Sequence, residues 1–422
     1  MRTFTIIWFG QLVSTISSYM TEFALILWAW HLTGSATPLA LVGFFSQLPR
    51  ISITFIAGII VDRFNRKFLM ILGDTIAVLA TGAIALLFLT DHLQLWHLYV
   101  TSAVTGSFSQ LQQLAYSTSI TLIVPEQHYT RANSIGSMVH YGSAIVAPAL
   151  AGVLYPKIGL LGLLLIDGIT FVVAIATLLS IQIPRIHTND DLQPSDSIWK
   201  QLGFGFHFIW SNPGLRALLI TTALFWFAHD LGGAVYDPMI LARTEGNATI
   251  LGSTASAAGI GGVTGALIIS VWGGPKHRID GMLFGFMGAG ISKTVFGLGR
   301  SPLVWLPAQF CSSLNFPLLG SSETAIWMMK VSPALQGRVF AANSLVIQAV
   351  SASALLIAGL LADQAFEPAL EKGGSLTPLF SSTIGAGTGT GTALLYIMTS
   401  ISLILIGLGG FLLPTLRRIE QN

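Results

Sequence analysis

Charge is what this chain of 422 residues has least of: Asp, Glu, Lys and Arg make up 9% of it, while 53% is hydrophobic. An ordinary soluble domain carries about a quarter charged residues, so a soluble globule is excluded and lipid is the expected solvent for most of the chain. The single cysteine, Cys311, excludes an intramolecular disulfide and reads as a small packing residue. No spaced His, Cys, Asp or Glu set resembles a metal centre, and no metal or cofactor is expected. A formal net charge of +2 gives no support to nucleic-acid binding. Catalytic patterns are missing too: there is no His-x-x-x-x-Asp, Walker loop, His-Glu-x-x-His or Gly-x-Ser-x-Gly, so an enzyme is not expected.

What is present is a succession of long apolar runs. They do not alternate as the strands of a membrane barrel do, and a helix satisfies its own backbone in hydrocarbon, so the expected class is an all-α integral membrane protein. Twelve spans can be read, at 4–31, 39–61, 68–90, 97–122, 133–155, 160–183, 214–241, 251–273, 281–299, 302–329, 338–364 and 391–414. The first follows Arg2 and runs to Trp30, too long for a signal peptide and without a small-residue cleavage site, so it is expected to be retained.

With the N-terminus inside, Arg2, Arg63, Arg66, Lys67, Arg131, Arg185, Lys200, Arg216, Lys276, Arg278, Lys330, Arg338, Arg417 and Arg418 fall on inner loops and tails. Only Lys157, Arg243, Arg300 and Lys372 fall outside. This asymmetry predicts both termini in the cytoplasm of a multi-pass plasma (inner) membrane protein. The polar stretch Pro184 to Pro213 reads as a cytoplasmic linker between an N-terminal six-helix bundle, 1–183, and a C-terminal one, 214–422. Pro125 to Ser134 after the fourth span and Pro333 to Ser344 after the tenth form a weak repeat that agrees with duplication. The Gly, Ser and Thr-rich stretch Ala365 to Thr392 reads as a flexible outside loop; its glycines lack the strand-before, helix-after setting of a phosphate cradle.

Between the second and third spans stands Gly58-Ile-Ile-Val-Asp62-Arg63-Phe-Asn-Arg66-Lys67, a charged hinge that stays hydrated only at a membrane surface. It resembles the signature loop between helices two and three of the major facilitator superfamily, and twelve spans split six and six fit that family. Thr33-Gly34-Ser35-Ala36, Leu48-Pro49, the Pro125 to Asn133 loop, Gly337-Arg338-Val339-Phe340 and Gly359 to Asp363 are similar to its macrolide-efflux branch. The resemblance implies two pseudo-symmetric six-helix bundles that rock about a central cavity, exporting an amphipathic compound against an inward flow of protons. The chain departs from the pattern in several places. Asn65 stands where the loop has Gly, and as a short polar residue it suits an expected positive φ. Helix four has no arginine of the antiporter kind, Ala147 precedes Pro148 where the antiporter motif has Gly, and the second copy of the loop is reduced to Gly273 to Arg278.

Helical spacing places Gln11, Ser14, Ser18 and Glu22 on one face of span one, and Thr101, Thr105, Ser109, Gln112 and Tyr116 on one face of span four. Span ten repeats this with Gln309, Ser313, Phe316, Gly320, Glu323 and Trp327, and span seven less cleanly with Thr222, Trp226, His229, Asp230, Gly233 and Asp237. By the resemblance these four spans line the cavity. The bland alternative is that the hydroxyl residues join neighbouring helices.

Charges at hydrocarbon depth cost about 2.5 to 3.5 kcal/mol each on insertion scales, which singles out Glu22, Arg50, Asp230, Lys293 and Glu323. Glu22, within reach of Arg50 if their faces agree, is the first proton-coupling candidate, followed by Glu323 and by Asp230 with Asp237, where Pro238 is expected to break the helix. A static ion pair or an interfacial carboxylate is the plainer reading of each. His229 and His140 titrate near neutrality and could shuttle protons, against the plainer role of hydrogen-bonding a neighbouring helix. Gly58, Asp62, Arg63, Arg66, Lys67 and Arg338 are the candidate conformational latch, against the plainer role of an orientation anchor.

The sequence therefore leads to a proton-gradient-driven secondary transporter exporting a bulky amphipathic small molecule, with protons and membrane lipid as its other partners and a monomer expected. An exporter of siderophores or peptides, a lipid translocase and a membrane sensor are the alternatives.

Overall fold

The computed structural model describes residues 2–125, 129–181, 198–370, 374–385 and 387–420. Among these residues there is helix and turn and no strand. The first helices are α1 (Arg2–Thr33), α2 (Ala36–Arg63), α3 (Arg66–Leu89), α4 (Leu95–Ile123), α5 (Tyr129–Leu179) and α6 (Ile198–Ser211). They are followed by α7 (Pro213–Arg243), α8 (Ala248–Trp272), α9 (Arg278–Leu298), α10 (Pro302–Leu314), α11 (Phe316–Lys330) and α12 (Pro333–Leu361). The chain ends with the single turns α13 (Glu367–Leu370) and α14 (Thr377–Phe380), then α15 (Thr390–Leu412) and α16 (Pro414–Arg417).

Among the described residues, eight helices are long and apolar enough to cross a membrane. Dividing α5 at Gly159 and joining α10 to α11 recovers the twelve spans. Gly159, at φ 65 and ψ −171, holds a backbone conformation open in practice to glycine alone, and it separates the fifth span from the sixth. In the tenth span, Pro317 lacks an amide proton and its ring crowds the preceding turn, so the helix is interrupted at Asn315. Leucines and valines that a soluble protein would bury lie outside here: Val271 is 90% exposed and Leu303 87%. Such a surface is stable only against lipid.

Three local expectations are corrected. Pro238 does not break its helix: α7 continues to Arg243, and Pro238 is buried inside it. Membrane helices tolerate such a proline because neighbouring groups take up the freed carbonyl. Asn65 sits at φ −63 rather than at positive φ; it caps α3, its side-chain oxygen accepting from the Lys67 amide at 2.9 Å. The 365–392 loop is partly helical, carrying a π turn at Ala362–Phe366, α13 and α14. It is tied down by Glu367 Oε1, which accepts from the Thr392 amide at 3.0 Å and caps α15.

The chain forms two compact units. The first comprises Met1–Thr33, Leu41–Gln193 and Asn247–Ser256; the second comprises Gly34–Ala40, Pro194–Gly246 and Ala257–Asn422. In the first, Ile7, Val61, Leu69, Met70, Ala115 and Leu178 build a core, and the start of α8 joins it through the Thr249 hydroxyl, which donates to Gly152 O at 2.9 Å. In the second, Phe225, Leu283, Phe286, Leu319 and Trp327 form the core. The first turn of α2 belongs there because Asp363 caps it, accepting from Ala36 N at 2.9 Å and Thr37 N at 2.7 Å. The C-terminal part of the predicted linker is helix α6, whose Ile209 is fully buried in the second core. Residues 182–197 of that linker lie outside the described residues.

Candidate functional site

In the first unit the structure gathers polar groups around two carboxylates that the sequence reading passed over. Asp74, on α3, is 1% exposed. Gln112 Nε2 donates to its Oδ1 at 2.6 Å and Gln11 Nε2 to its Oδ2 at 3.4 Å, and the two amides meet each other at 3.3 Å. Gly73 permits the approach, since a Cβ there would lie 2.6 Å from Gln112 Oε1. Two predicted cavity residues thus bind a buried carboxylate. Asp167, in the second half of α5, is 2% exposed and surrounded by hydroxyls from α1 and α3. Both aspartates stand in apolar runs, and that was the sequence signal that could have found them.

Glu22 is exposed midway along α1. The charge of Arg50 acts on it and on Tyr19, yet the two form no ion pair among the described residues; Arg50 Nη2 donates to Ser109 Oγ at 3.3 Å instead. The sequence-based Glu22–Arg50 contact is therefore an electrostatic neighbourhood and not a bridge. Ser14 is buried, and its carbonyl accepts from Ser17 and Ser18 at 2.9 Å each. Thr105 bonds back to Thr101 O at 2.8 Å, so its hydroxyl is satisfied within its own helix. Among the described residues, the Tyr116 hydroxyl and Gln309 Oε1 are buried without hydrogen-bond partners.

The second unit assembles a charged cluster. Asp230 Oδ1 lies 3.1 Å from His229 Nδ1, and Asp230 Oδ2 accepts the Ser351 hydroxyl. Lys293, 7% exposed, reaches α7 from α9: its charge acts on both Asp230 and His229, and its ammonium stands 5.6 Å from the Tyr396 ring. Aromatics wall the cluster, with Phe225 stacked on Phe286 at 3.9 Å and His229 edge-on to Phe316 at 4.9 Å. Trp226 lies 6.3 Å from Phe316. A carboxylate, an imidazole and an ammonium held in an apolar interior by neutral donors form an arrangement able to take up and release a proton.

Asp237 is half-buried two turns further along α7. Glu323 is half-buried on α11, one turn before Trp327, whose indole N–H faces the carboxylate without closing a hydrogen bond. Trp327 itself is buried, packing edge-on to Phe340 in the core. Of the candidate latch residues, Arg66 and Lys67 meet the carbonyls of other helices. Arg66 Nη1 donates to Thr118 O at 2.8 Å, and Lys67 Nζ donates to Leu179 O at 3.1 Å and to Ile181 O, where α5 ends and its carbonyls are free. The Arg338 guanidinium stands over the Phe204 ring at 5.6 Å. The side chains of Asp62, Arg63 and His140, and the surroundings of Gly58, lie outside the described residues.

Comparison with known proteins bears on the family and the fold. The profile of the Major Facilitator Superfamily matches residues 7–355. Macrolide efflux protein A of Streptococcus pyogenes is 26% identical over 364 residues, covering 86% of this chain and 89% of its own. Multidrug efflux pump Tap of Mycolicibacterium fortuitum is 25% identical over 344 residues, covering 79% of this chain and 82% of its own. Among solved structures, a bacterial homologue of the human lysosomal transporter Spinster aligns with a TM-score of 0.74 at 16% identity, covering 99% of this chain and 97% of that one. The nucleoside transporter NupG aligns with a TM-score of 0.70 at 12% identity, covering 97% and 99%.

Proposed function

The chain belongs to the major facilitator superfamily, and from that premise we propose that it exports bulky amphipathic compounds of the macrolide kind from the cell in exchange for protons. At family level it is a membrane transporter with drug-efflux relatives. The observation that supports proton exchange is the Asp230, His229, Lys293 and Ser351 cluster, ionisable groups held in an apolar wall beside Phe225 and Phe316. Aromatic surface of this kind binds large apolar cargo, and a proton arriving at the carboxylate changes what the cluster attracts. Alternating access between two states, which cargo and proton bias by differential binding, completes the cycle in a multi-pass inner-membrane protein with both termini in the cytoplasm.

The test is uptake of a radiolabelled macrolide into proteoliposomes with an imposed pH gradient, comparing the unaltered protein with Asp230→Asn, Glu22→Gln and Glu323→Gln. The proposal requires gradient-driven uptake and its loss in at least one carboxamide variant that still binds the macrolide. Uptake that persists in all three removes these carboxylates from coupling. Equal uptake with and without a gradient marks facilitated diffusion.

A further inference from the structure

Oxygens outnumber protons around Asp167. Among the described residues, the Ser17 hydroxyl lies 2.9 Å from Ser14 O and 3.0 Å from Asp167 Oδ1, and it also touches Thr170 Oγ1. The Ser18 hydroxyl lies 2.9 Å from Ser14 O and 3.3 Å from Asp167 Oδ1. Thr81 Oγ1 lies 3.1 Å from Asp167 Oδ2, and Thr170 Oγ1 lies 2.9 Å from Asp167 O. These are seven oxygen–oxygen contacts, and a hydroxyl proton makes one of them a full hydrogen bond or is shared between two as a weaker three-centre one. The hydroxyls of Ser17, Ser18, Thr81 and Thr170 carry one proton each. A protonated Asp167 would add only one more, so the set remains short.

A further observation points the same way. Thr21, 7% exposed and one turn beyond Ser17 on α1, turns its hydroxyl toward the Asp167 carboxylate without closing a hydrogen bond to it, and among the described residues that oxygen meets no other partner. An orphaned hydroxyl in so dry a place is costly unless something else takes its lone pair. A hard cation does so, because it replaces the missing protons with a single positive centre that all the oxygens share. Ligands at about 2.3–2.6 Å from such an ion, set at right angles, stand roughly 3.2–3.7 Å apart, and the Ser18 Oγ to Asp167 Oδ1 contact of 3.3 Å falls at that separation.

We infer that Asp167, Ser17, Ser18, Thr21 and Thr81 form an intramembrane site for a monovalent hard cation of sodium's size. One carboxylate matches one positive charge; divalent hard cations gather several carboxylates, and the absence of nitrogen and sulfur ligands turns away transition metals. The site joins α1, α3 and the second half of α5 within the first unit, so its occupancy ties three spans together. Its residues belong to the first unit and the Asp230 cluster to the second, and it does not depend on what the protein carries.

The experiment is binding of radiolabelled sodium to the purified full-length protein in detergent, with unlabelled sodium or choline as competitor. Thermal unfolding in sodium chloride against choline chloride at equal ionic strength is read beside it. Saturable binding displaced by sodium and not by choline is expected, abolished in Asp167→Asn and weakened about tenfold in Thr81→Val for the loss of one ligand. Thr21→Val removes an oxygen that closes no hydrogen bond among the described residues, so this variant is expected to fold as the unaltered protein does and still bind sodium more weakly. No saturable sodium binding by the unaltered protein overturns the site. So does Thr21→Val binding sodium with unchanged affinity, since a purely structural hydroxyl cage would give that result. Because binding is read without any cargo or gradient, a failure here leaves the transport reading standing, and the reverse holds as well.

Discussion

The Gln112 side-chain amide donates to Asp74 Oδ1 at 2.6 Å, joining α4 to α3 inside the first unit. A hydrogen bond to a charged or chargeable group in a dry interior contributes about 1.5–3 kcal/mol, and Gln11 at 3.4 Å is a weak substitute. Gln112→Leu is therefore expected to lower stability in detergent by about 2 kcal/mol, and Gln112→Leu combined with Asp74→Leu to recover part of that loss. A double-mutant cycle on the unfolding midpoint checks it; additive losses would mean that the two residues act independently.

Lys67 holds the end of α5 by donating to Leu179 O and Ile181 O. A cation at a helix C-terminus contributes about 0.3–1 kcal/mol, weakened by salt. Lys67→Met is expected to lower the thermal midpoint modestly at low salt and hardly at all at high salt. Melting curves at two salt concentrations read this, and a salt-independent loss would point to lost packing.

Asp363 caps the first turn of α2 through Ala36 N, Thr37 N and the Thr37 hydroxyl, the last at 2.6 Å. Loss of an N-cap costs about 0.5–2 kcal/mol. Asp363→Ala is expected to speed amide hydrogen exchange at Ala36 and Thr37 while leaving the Asp230 region unchanged. Equal exchange in both proteins would remove the cap from the stability account.

Gly290 lets α9 touch α15: a Cβ there would lie 2.8 Å from Ser400 O and 2.7 Å from the Ile404 side chain. A backbone carbonyl cannot step aside as a side chain can, so overpacking by about 1–3 kcal/mol is expected for Gly290→Ala and more for Gly290→Val. Thermal unfolding in detergent ranks the three proteins, and an unaffected Gly290→Val would show that the two helices part at little cost.

Much of the architecture was legible along the chain because membrane solvation acts locally. A run such as 68–90 has no stable alternative to helix in hydrocarbon, and α3 begins and ends within two residues of that reading. Pro156 and Gly159 mark the turn between spans five and six for a local reason too, since a positive φ at that point suits glycine. The helical period likewise put Gln11 and Gln112 on polar stripes before any partner was known.

What each stripe faces was decided by packing. Spacing along α1 made Ser18 and Glu22 look equivalent, yet Ser18 meets the Asp167 carboxylate while Glu22 stays exposed without an ion pair among the described residues. The sequence by itself determined a helical membrane protein of superfamily pattern, because the transfer of apolar side chains and backbone amides out of water is settled residue by residue. Only the tertiary structure decided that Asp74 and Asp167 are wrapped by amides and hydroxyls, and that Asp230 stands with His229, Lys293 and Ser351. Those groups are separated by tens to hundreds of positions in the chain, and bonds that short and directional form only where the helices bring the atoms together.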